Sequence, residues 1–289
     1  MNDNEIDYVK IIKGDYYKRK RKRSNGRVIA FDLDETLGSF ADLEIMWSAL
    51  QHFTQQYSPI NFNQLLDLYP EFLRYGIIHI LEFLLQKKKM GQCKHIYIYT
   101  NNQCNPPWVD HISEYFTYKL NEKTNIFDKI IRAFKIGNRR LDLERTTHSK
   151  THSDFIRCTL LPETTEICFI DNVEYKSMEK DRVYYIQPYS YYHHLSTHEI
   201  IQRFITSSII HQIKGGHNVQ QLHQSIADYF IYRNHITNGN PVLNELKRDI
   251  IVSQKIMYHL KEFFYLTAKR KRTLKKYNKM GHYTRKKLR

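Results

Sequence analysis

Apolar residues along this chain occur either in short continuous runs or in longer stretches with helical spacing. The short runs predict strands at residues 28–31, 95–100, 129–134, 166–171 and 182–187. Stretches with apolar residues three and four positions apart predict helices at residues 43–57, 64–89, 107–120 and 151–160. The polar stretch at 137–149 predicts a loop that leads to Lys150. Strands that alternate with helices form parallel sheets with right-handed crossovers. The pattern therefore predicts an α/β fold in which helices flank a parallel sheet.

Breaks in this pattern divide the chain into four parts. The turn sequence Ser24-Asn25-Gly26 directly precedes the first predicted strand, and the pattern after the last strand is helical. We predict a basic N-terminal arm at 1–26, the α/β domain at 27–197, a helical extension at 198–268 and a disordered basic tail at 269–289. Residues 40–95 are expected to form helices packed on the sheet, with a small helical cap as the alternative.

The net charge of +15 comes from two short segments. Lys18–Arg23 is a run of six basic residues, and Lys269–Arg289 contains eleven Lys or Arg and no acidic residue. Without these 17, the remaining 28 of the 45 basic residues face 30 acidic ones, so the body carries about −2. Such runs are typical of nuclear-localisation or nucleic-acid-binding segments. The alternative is a solubilising role with only non-specific affinity.

The strand at 28–31 leads directly into Asp32 and Asp34. Side chains two residues apart in a strand point the same way, so the two carboxylates are expected to leave the sheet together. Two unpaired carboxylates about 4 Å apart repel by roughly 4 kcal/mol at an effective dielectric constant of about 20. The pair therefore calls for a cation, and oxygen ligands favour Mg²⁺. Alternatively, both side chains cap backbone amides in a turn.

Polar residues also follow the second and fourth predicted strands. Thr100-Asn101 follows one strand, Asp171-Asn172 ends the other, and Lys150 lies 21 residues before Asp171. The carboxyl ends of parallel strands meet at one edge of a sheet, so these residues are expected near Asp32. They would supply a hydroxyl, a cation and a further metal carboxylate. Individually, Thr100 could cap a helix, Asp171 could form a turn and Lys150 could be solvated.

This ordered set resembles the four motifs of the haloacid dehalogenase (HAD) superfamily, here Asp32-Leu33-Asp34-Glu35-Thr36, Thr100, Lys150 and Asp171-Asn172. Together with Leu73-Arg74-Tyr75-Gly76, it is most similar to the branch of protein phosphatases that act on the C-terminal repeat of RNA polymerase II. The resemblance covers residues 27–190. Arg74-Tyr75-Gly76 departs from that branch's usual Arg-Pro-Gly, and its peptide-binding insertion has no clear counterpart.

The resemblance implies a HAD-like Rossmannoid sheet and a Mg²⁺-dependent phosphatase. Asp32 would be the nucleophile that forms an aspartyl-phosphate, and Asp34 would protonate the leaving oxygen and then activate water. Mg²⁺ would be bound by Asp32, the Asp34 backbone carbonyl and Asp171. The phosphate would be bound by Thr100, Asn101 and Lys150, and supporting contacts would come from Thr36, Asn172 and Glu174. Asn172 stands where many relatives have a second acid, and Glu174 is the candidate substitute.

Three functions remain open at this stage. The first is a phosphatase acting on phosphorylated Ser or Thr of a protein. The second is a polynucleotide 3′-phosphatase, since the basic segments would hold a polyanion. The third is a catalytically silent scaffold that binds nucleic acid non-specifically through Lys18–Arg23 and Lys269–Arg289.

Other features bear on the compartment. No run of about 18 apolar residues and no signal-peptide core occurs, so we expect no membrane contact and an intracellular protein, cytoplasmic or nuclear. The four cysteines form no CxxC pair and are predicted to be reduced core thiols. The abundance of Lys, Tyr and Ile with only 10 Gly is similar to proteins of large DNA viruses.

Overall fold

The computed structural model describes residues 8–18, 26–53, 60–213, 219–239 and 243–285, and at 243–244 and 267–285 it describes the backbone alone. The strands are β1 (Val9–Lys13), β2 (Arg27–Phe31), β3 (His95–Tyr99), β4 (Lys129–Ile131), β5 (Lys135–Ile136), β6 (Arg139–Arg140), β7 (Glu166–Ile170) and β8 (Val183–Pro188). The helices are α1 (Asp15–Lys18), α2 (Ala41–Phe53), α3 (Phe62–Asp67), α4 (Ile77–Lys89), α5 (Pro107–Lys119), α6 (His152–Thr159), α7 (Thr197–Ile205), α8 (Val219–Tyr232) and α9 (Leu243–Arg285).

Six strands form one sheet in the order β1-β8-β7-β2-β3-β4, and β5 and β6 form a separate hairpin. Neighbouring strands of the large sheet are parallel except β1, which runs antiparallel to β8 at one edge. β2 lies near the centre, where Val28 is in register with His95 of β3 and Ile167 of β7. The predicted α/β fold, with a mostly parallel sheet flanked by helices, is therefore confirmed.

The two faces of the sheet explain why β2 is apolar at every position. Ile29 and Phe31 belong to the larger core, which also contains residues of α2 to α5 and of the C-terminal helices. Val28 and Ala30 belong to a smaller core with Phe155 of α6. A strand covered on both faces needs apolar side chains throughout rather than in alternation. Because α2 and α4 bury residues in the same core as Ile29, they pack on the sheet, as we predict for this segment, and not as a separate cap.

The N-terminal arm is more ordered than predicted. We predict an arm over residues 1–26, but Val9–Lys13 is the edge strand β1, followed by the helical turn α1. The local signal for this strand is limited to Val9, Lys10 and Ile11, which alternate between apolar and polar. Of the basic run Lys18–Arg23, only Lys18 is among the described residues. The arm prediction is thus wrong for its central part, because pairing with β8 satisfies the backbone of β1.

Two further segments differ in detail. The strand predicted at 129–134 is shorter and spans Lys129–Ile131. The polar loop predicted at 137–149 contains β6, which pairs with β5 in a two-stranded hairpin. The helix predicted at 64–89 is interrupted as its proline and glycine indicate, by the 3₁₀ turn Pro70–Phe72 and by Gly76.

The helical extension predicted at 198–268 is present as α7, α8 and α9. α9 contacts β1 and β8 and buries Val252, Ile256 and Phe263 in the larger core. We expect disorder from residue 269, but the backbone is helical to Arg285; this segment lacks proline and is rich in Lys and Arg, which favour helices. Residues 286–289 lie outside the described part. Among the described residues, no helix is long and apolar enough to cross a membrane.

Gly76→Ala tests how closely α9 packs on the start of α4. Gly76 has a φ of +72°, and a Cβ there would lie 2.2 Å from Oγ of Ser253 on α9. Gly91 has a similar φ of +66°, but a Cβ there would meet nothing within 4 Å. An alanine at either position is strained by the positive φ, at a cost of about 1–2 kcal/mol. Only Gly76→Ala also overpacks the contact with Ser253, at a further cost of about 1–3 kcal/mol.

Urea denaturation measures the two losses in the free energy of unfolding. We expect Gly76→Ala to be the more destabilising, and Ser253→Ala to recover part of its extra loss. Equal losses at Gly76 and Gly91 would contradict this packing of α9.

Candidate active site

Three parallel strands deliver polar residues to one edge of the sheet. Asp32 follows β2, Thr100 follows β3 and Asp171 follows β7, and all three side chains are buried. Their backbone amides continue the ladder, since the amide of Asp32 donates to the Ile170 carbonyl at 2.8 Å and that of Thr100 to the Ile131 carbonyl at 3.0 Å. The sheet itself therefore fixes where these side chains begin.

Lys150 is the cation at this edge. Its side chain is 1% exposed, and its ammonium group donates to Asp32 Oδ1 and to Asp171 Oδ2, the latter at 2.7 Å. The next residue, Thr151, caps α6 by accepting a hydrogen bond from the Asp154 amide at 3.1 Å. The beginning of α6 thus places Lys150 between the ends of β2 and β7, and the alternative of a solvated lysine is wrong.

The charges in this cluster do not balance. Three carboxylates, those of Asp32, Asp34 and Asp171, lie around the single ammonium group of Lys150. Burial, supported by the neighbouring Asp32, raises the pKa of Asp34 to about 6, and burial also raises the pKa of Asp171. Burial opposes the charge on Lys150, but Asp171 and Asp32 outweigh it and raise its pKa. The site is therefore poor in positive charge.

The loop after β3 is built from its own side chains. Thr100 Oγ1 accepts a hydrogen bond from the Asn102 amide at 2.9 Å, which leaves the hydroxyl proton available for another acceptor. The Asn102 side-chain amide donates to Asp34 Oδ2 at 2.8 Å. Asn101 donates to the Tyr175 hydroxyl at 3.0 Å, while its Oδ1 is buried without a partner. Asn102 and Tyr175 belong to the site but are not among the residues predicted from the sequence.

Arg145 holds the two loops that carry Thr100 and Lys150. The guanidinium is fully buried and donates to the carbonyls of Thr100 at 3.0 Å, Arg132 at 2.9 Å, His148 at 3.0 Å and Ser149 at 3.2 Å. It also lies over the Tyr99 ring, 4.9 Å from the centroid. The segment predicted as a polar loop is therefore organised around one buried cation.

Arg74 holds the turn after β2 in the same way, by donating hydrogen bonds to main-chain carbonyls. Its side chain is 1% exposed and donates to the carbonyls of Thr36 at 2.6 Å, Tyr189 at 2.9 Å and Glu35. Glu35 has a φ of +60°, so this turn needs such external support. Burial lowers the pKa of Arg74 to about 10, which leaves it charged at neutral pH. The sequence analysis used Arg74 only for the family resemblance.

The predicted supporting residues divide into two groups. Thr36 Oγ1 donates to Asn172 Oδ1 at 3.0 Å and accepts from the Asn172 amide at 3.2 Å, which ties the turn after β2 to the one after β7. Glu174 instead pairs with Lys10 and Lys176, which lower its pKa to about 2, and it lines neither cavity at the site. Because β1 brings Lys10 beside it, Glu174 is drawn away from the cluster. The carboxylate that contacts Asn172 is that of Glu35, whose Oε2 accepts a hydrogen bond from the Asn172 side-chain amide at 3.0 Å.

Seven of the predicted residues line one cavity of about 230 Å³, namely Asp32, Asp34, Thr100, Asn101, Lys150, Asp171 and Asn172. Oxygen donors and an excess of negative charge suit a hard divalent cation. Among the described residues, no three Asp, Glu, His or Cys side chains converge as a ligand group. The predicted Mg²⁺ set needs only the carboxylates of Asp32 and Asp171, with the Asp34 backbone carbonyl as third donor. These residues therefore fit the ion.

Comparison of this chain with protein-family models, curated proteins and solved structures finds no match. The function of the chain is therefore inferred from the residues of the site and their geometry.

Arg145→Met tests whether the buried guanidinium holds the site loops. Each carbonyl left without its donor costs about 1–3 kcal/mol, so we expect the free energy of unfolding to fall by about 3 kcal/mol or more. Arg139→Met, at an exposed arginine of the same segment, is the matched control and should change stability by no more than about 0.5 kcal/mol. Urea denaturation measures both, and equal effects would contradict the role of Arg145.

Proposed function

We propose that this chain is a Mg²⁺-dependent phosphomonoesterase of the HAD type, that it acts through an aspartyl-phosphate on Asp32, and that its substrate is a phosphoprotein. The observation that carries the proposal is the buried ammonium group of Lys150 in contact with both Asp32 and Asp171, at the edge where β2 and β7 end. A buried Lys between two carboxylates of parallel strands suits the binding of a phosphate dianion beside a nucleophile.

Asp32 is the nucleophile in this proposal. Its carboxylate contacts the ammonium group of Lys150 and attacks phosphorus. A bond forms between the carboxylate oxygen and phosphorus, and the bond between phosphorus and the leaving oxygen breaks. Water then attacks the aspartyl-phosphate and releases inorganic phosphate and free Asp32.

Asp34 transfers the protons. With a pKa of about 6, roughly a tenth of this carboxyl group is protonated at pH 7, against less than a hundredth for an ordinary aspartate. The protonated form donates to the leaving oxygen, and the resulting carboxylate accepts a proton from the attacking water. The hydrogen bond from Asn102 to Oδ2 orients the group and leaves Oδ1 for the substrate.

The remaining residues bind the phosphate. Thr100 retains a hydroxyl proton, and Lys150 supplies positive charge, so both can donate to phosphoryl oxygens. Mg²⁺, when bound by Asp32, Asp171 and the Asp34 carbonyl, would neutralise charge on the phosphate. Thr36 and Asn172 keep the loops that carry Asp34 and Asp171 in register.

Asp32→Asn tests the nucleophile. Wild type should hydrolyse p-nitrophenyl phosphate when Mg²⁺ is present and lose activity with a chelator, and Asp32→Asn should lower kcat by about 10³-fold or more. Hydroxylamine should trap the acyl-phosphate in wild type only. Glu174→Gln removes an exposed carboxylate near the same edge and should retain activity. An inactive wild type, or equal activity of wild type and Asp32→Asn, would refute the proposal.

We also propose that the basic segments Lys18–Arg23 and Lys269–Arg289 bind nucleic acid without sequence preference. The second segment carries eleven basic residues in 21, and its backbone is helical to Arg285. Each phosphate contact adds about −0.9 to the slope of log K against log salt on duplex DNA.

Removal of residues 269–289 tests this binding and the polynucleotide alternative together. We expect weaker DNA binding with a flatter salt slope, measured by fluorescence anisotropy, and unchanged turnover of a phosphopeptide. If the truncated chain instead loses turnover of a 3′-phosphorylated oligonucleotide that the full chain hydrolyses well, the polynucleotide phosphatase is favoured. An unchanged salt slope would refute nucleic-acid binding by this tail.

A further inference from the structure

A second and larger cavity, of about 810 Å³, adjoins the phosphate cavity on the side of Asp34. The two cavities share Asp34, Glu35 and Asn102. In the proposed reaction, phosphorus lies at Asp32 and the leaving oxygen receives its proton from Asp34. The group attached to that oxygen then extends past Asp34 into the larger cavity, whose volume is within the range of ligand pockets.

Besides the turn after β2 and the loop from β3 into α5, three distant parts of the chain form the walls of this cavity. They are the beginning of α2, the loop between β8 and α7, and the segment between α8 and α9. Buried Asp42 joins them, because its two oxygens contact Nε2 of His193 at 3.0 Å and Nε2 of His235 at 2.6 Å. Arg233 likewise contacts Glu44 Oε2 at 2.9 Å. The helical extension thus forms one wall, a role that the sequence did not indicate.

The lining of the larger cavity is negatively charged. Four carboxylates, those of Asp34, Glu35, Asp42 and Glu44, face one guanidinium group, that of Arg233, which is already paired with Glu44. His193 and His235 add positive charge only when protonated. Such a lining repels the backbone phosphates of a nucleic acid and attracts a cation.

Glu35 lies at the junction of the two cavities. Its Oε2 accepts a hydrogen bond from the side-chain amide of Asn172 at 3.0 Å, and its carboxylate also accepts one from the hydroxyl of Tyr192. Its backbone is held on both sides, since its amide donates to the Gly38 carbonyl at 2.7 Å and its carbonyl accepts from Arg74. A carboxylate whose hydrogen-bond donors are neutral groups, on a fixed backbone, is suited to bind a positive group of the substrate.

We propose that the larger cavity binds the polypeptide next to the phosphorylated residue, and that Glu35 selects a Lys or Arg in that segment. The inference rests on the proposed phosphatase function and specifies its substrate as a phosphoprotein with basic residues beside the phosphate. Tyr192, which is about half exposed, also lines the cavity and supplies aromatic surface for the aliphatic stem and the charge of such a residue.

The test compares four substrates of the full-length protein with Mg²⁺. They are p-nitrophenyl phosphate, two phosphoserine peptides that differ only in having Lys or Glu beside the phosphoserine, and a 3′-phosphorylated oligonucleotide. For wild type we expect kcat/KM to be about tenfold or more higher for the Lys peptide than for the Glu peptide, and lowest for the oligonucleotide.

Two variants and one control assign this preference to the cavity. Glu35→Gln should reduce the preference about fivefold, mainly through KM, when the two peptides are compared by their kcat/KM ratio within that variant. Ala41→Trp places a bulky side chain at an exposed position of the lining and should lower kcat/KM for both peptides about tenfold. Glu174→Gln removes the same charge outside the cavity and should leave the preference unchanged.

The outcomes separate this inference from the function on which it rests. If wild type hydrolyses p-nitrophenyl phosphate but prefers the Glu peptide or the oligonucleotide, or if folded Glu35→Gln keeps the full preference, the inference is wrong and the phosphatase stands. If Ala41→Trp leaves peptide turnover unchanged, the peptide does not occupy this cavity. If wild type hydrolyses none of the four, the proposed function fails and the inference with it.

Discussion

The ion cluster of Lys150, Asp32 and Asp171 is the constraint on which the site depends. A buried ammonium group is stable only with charged or hydrogen-bonded partners, and here its two partners come from the ends of two different strands. Losing one partner of such a buried pair costs about 3–5 kcal/mol, so β2, β7 and the beginning of α6 are held together. Apolar residues of similar volume would often stabilise the same edge equally well. Stability alone therefore does not explain the cluster.

Around this cluster, loop conformation is set by cations that donate to main-chain carbonyls. Arg145 and Arg74 bind the carbonyls of segments that come together from different parts of the chain. Regular secondary structure cannot position these loops, because their backbone groups lie beyond the ends of the strands. A planar guanidinium with five donors satisfies several carbonyls at once, which makes arginine better suited to this task than lysine. The loops of the candidate site are thus held by Arg74 and Arg145, neither of which is among the proposed catalytic or phosphate-binding residues.

The sequence predicts the central strands and the cluster because both follow from local rules. A strand buried on both faces must be apolar throughout, and parallel strands must end at the same edge, so Asp32, Thr100 and Asp171 could be placed together. β1 was missed because a short strand with lysines beside a basic run is similar to an unfolded arm. Glu174 was misplaced because its position near Asp171 does not reveal that β1 supplies Lys10 beside it. Burial of arginine depends on carbonyls from distant segments, and local sequence carries no signal for it.

The larger cavity could not be predicted from local sequence patterns, and its charge restricts which partner can bind there. Asp42 meets His193 and His235 only because α2, the loop before α7 and the helical extension pack together, and no spacing in the sequence indicates this. Its negative lining contrasts with the basic segments, which account for the net positive charge of the chain. A polyanion attracted to the tail would be repelled at the entrance beside Asp34 and Glu35. Under the proposed function, the opposite charges at these two places imply that the tail and the cavity bind different molecules. Nucleic acid would bind the tail, and a basic phosphoprotein would enter the cavity.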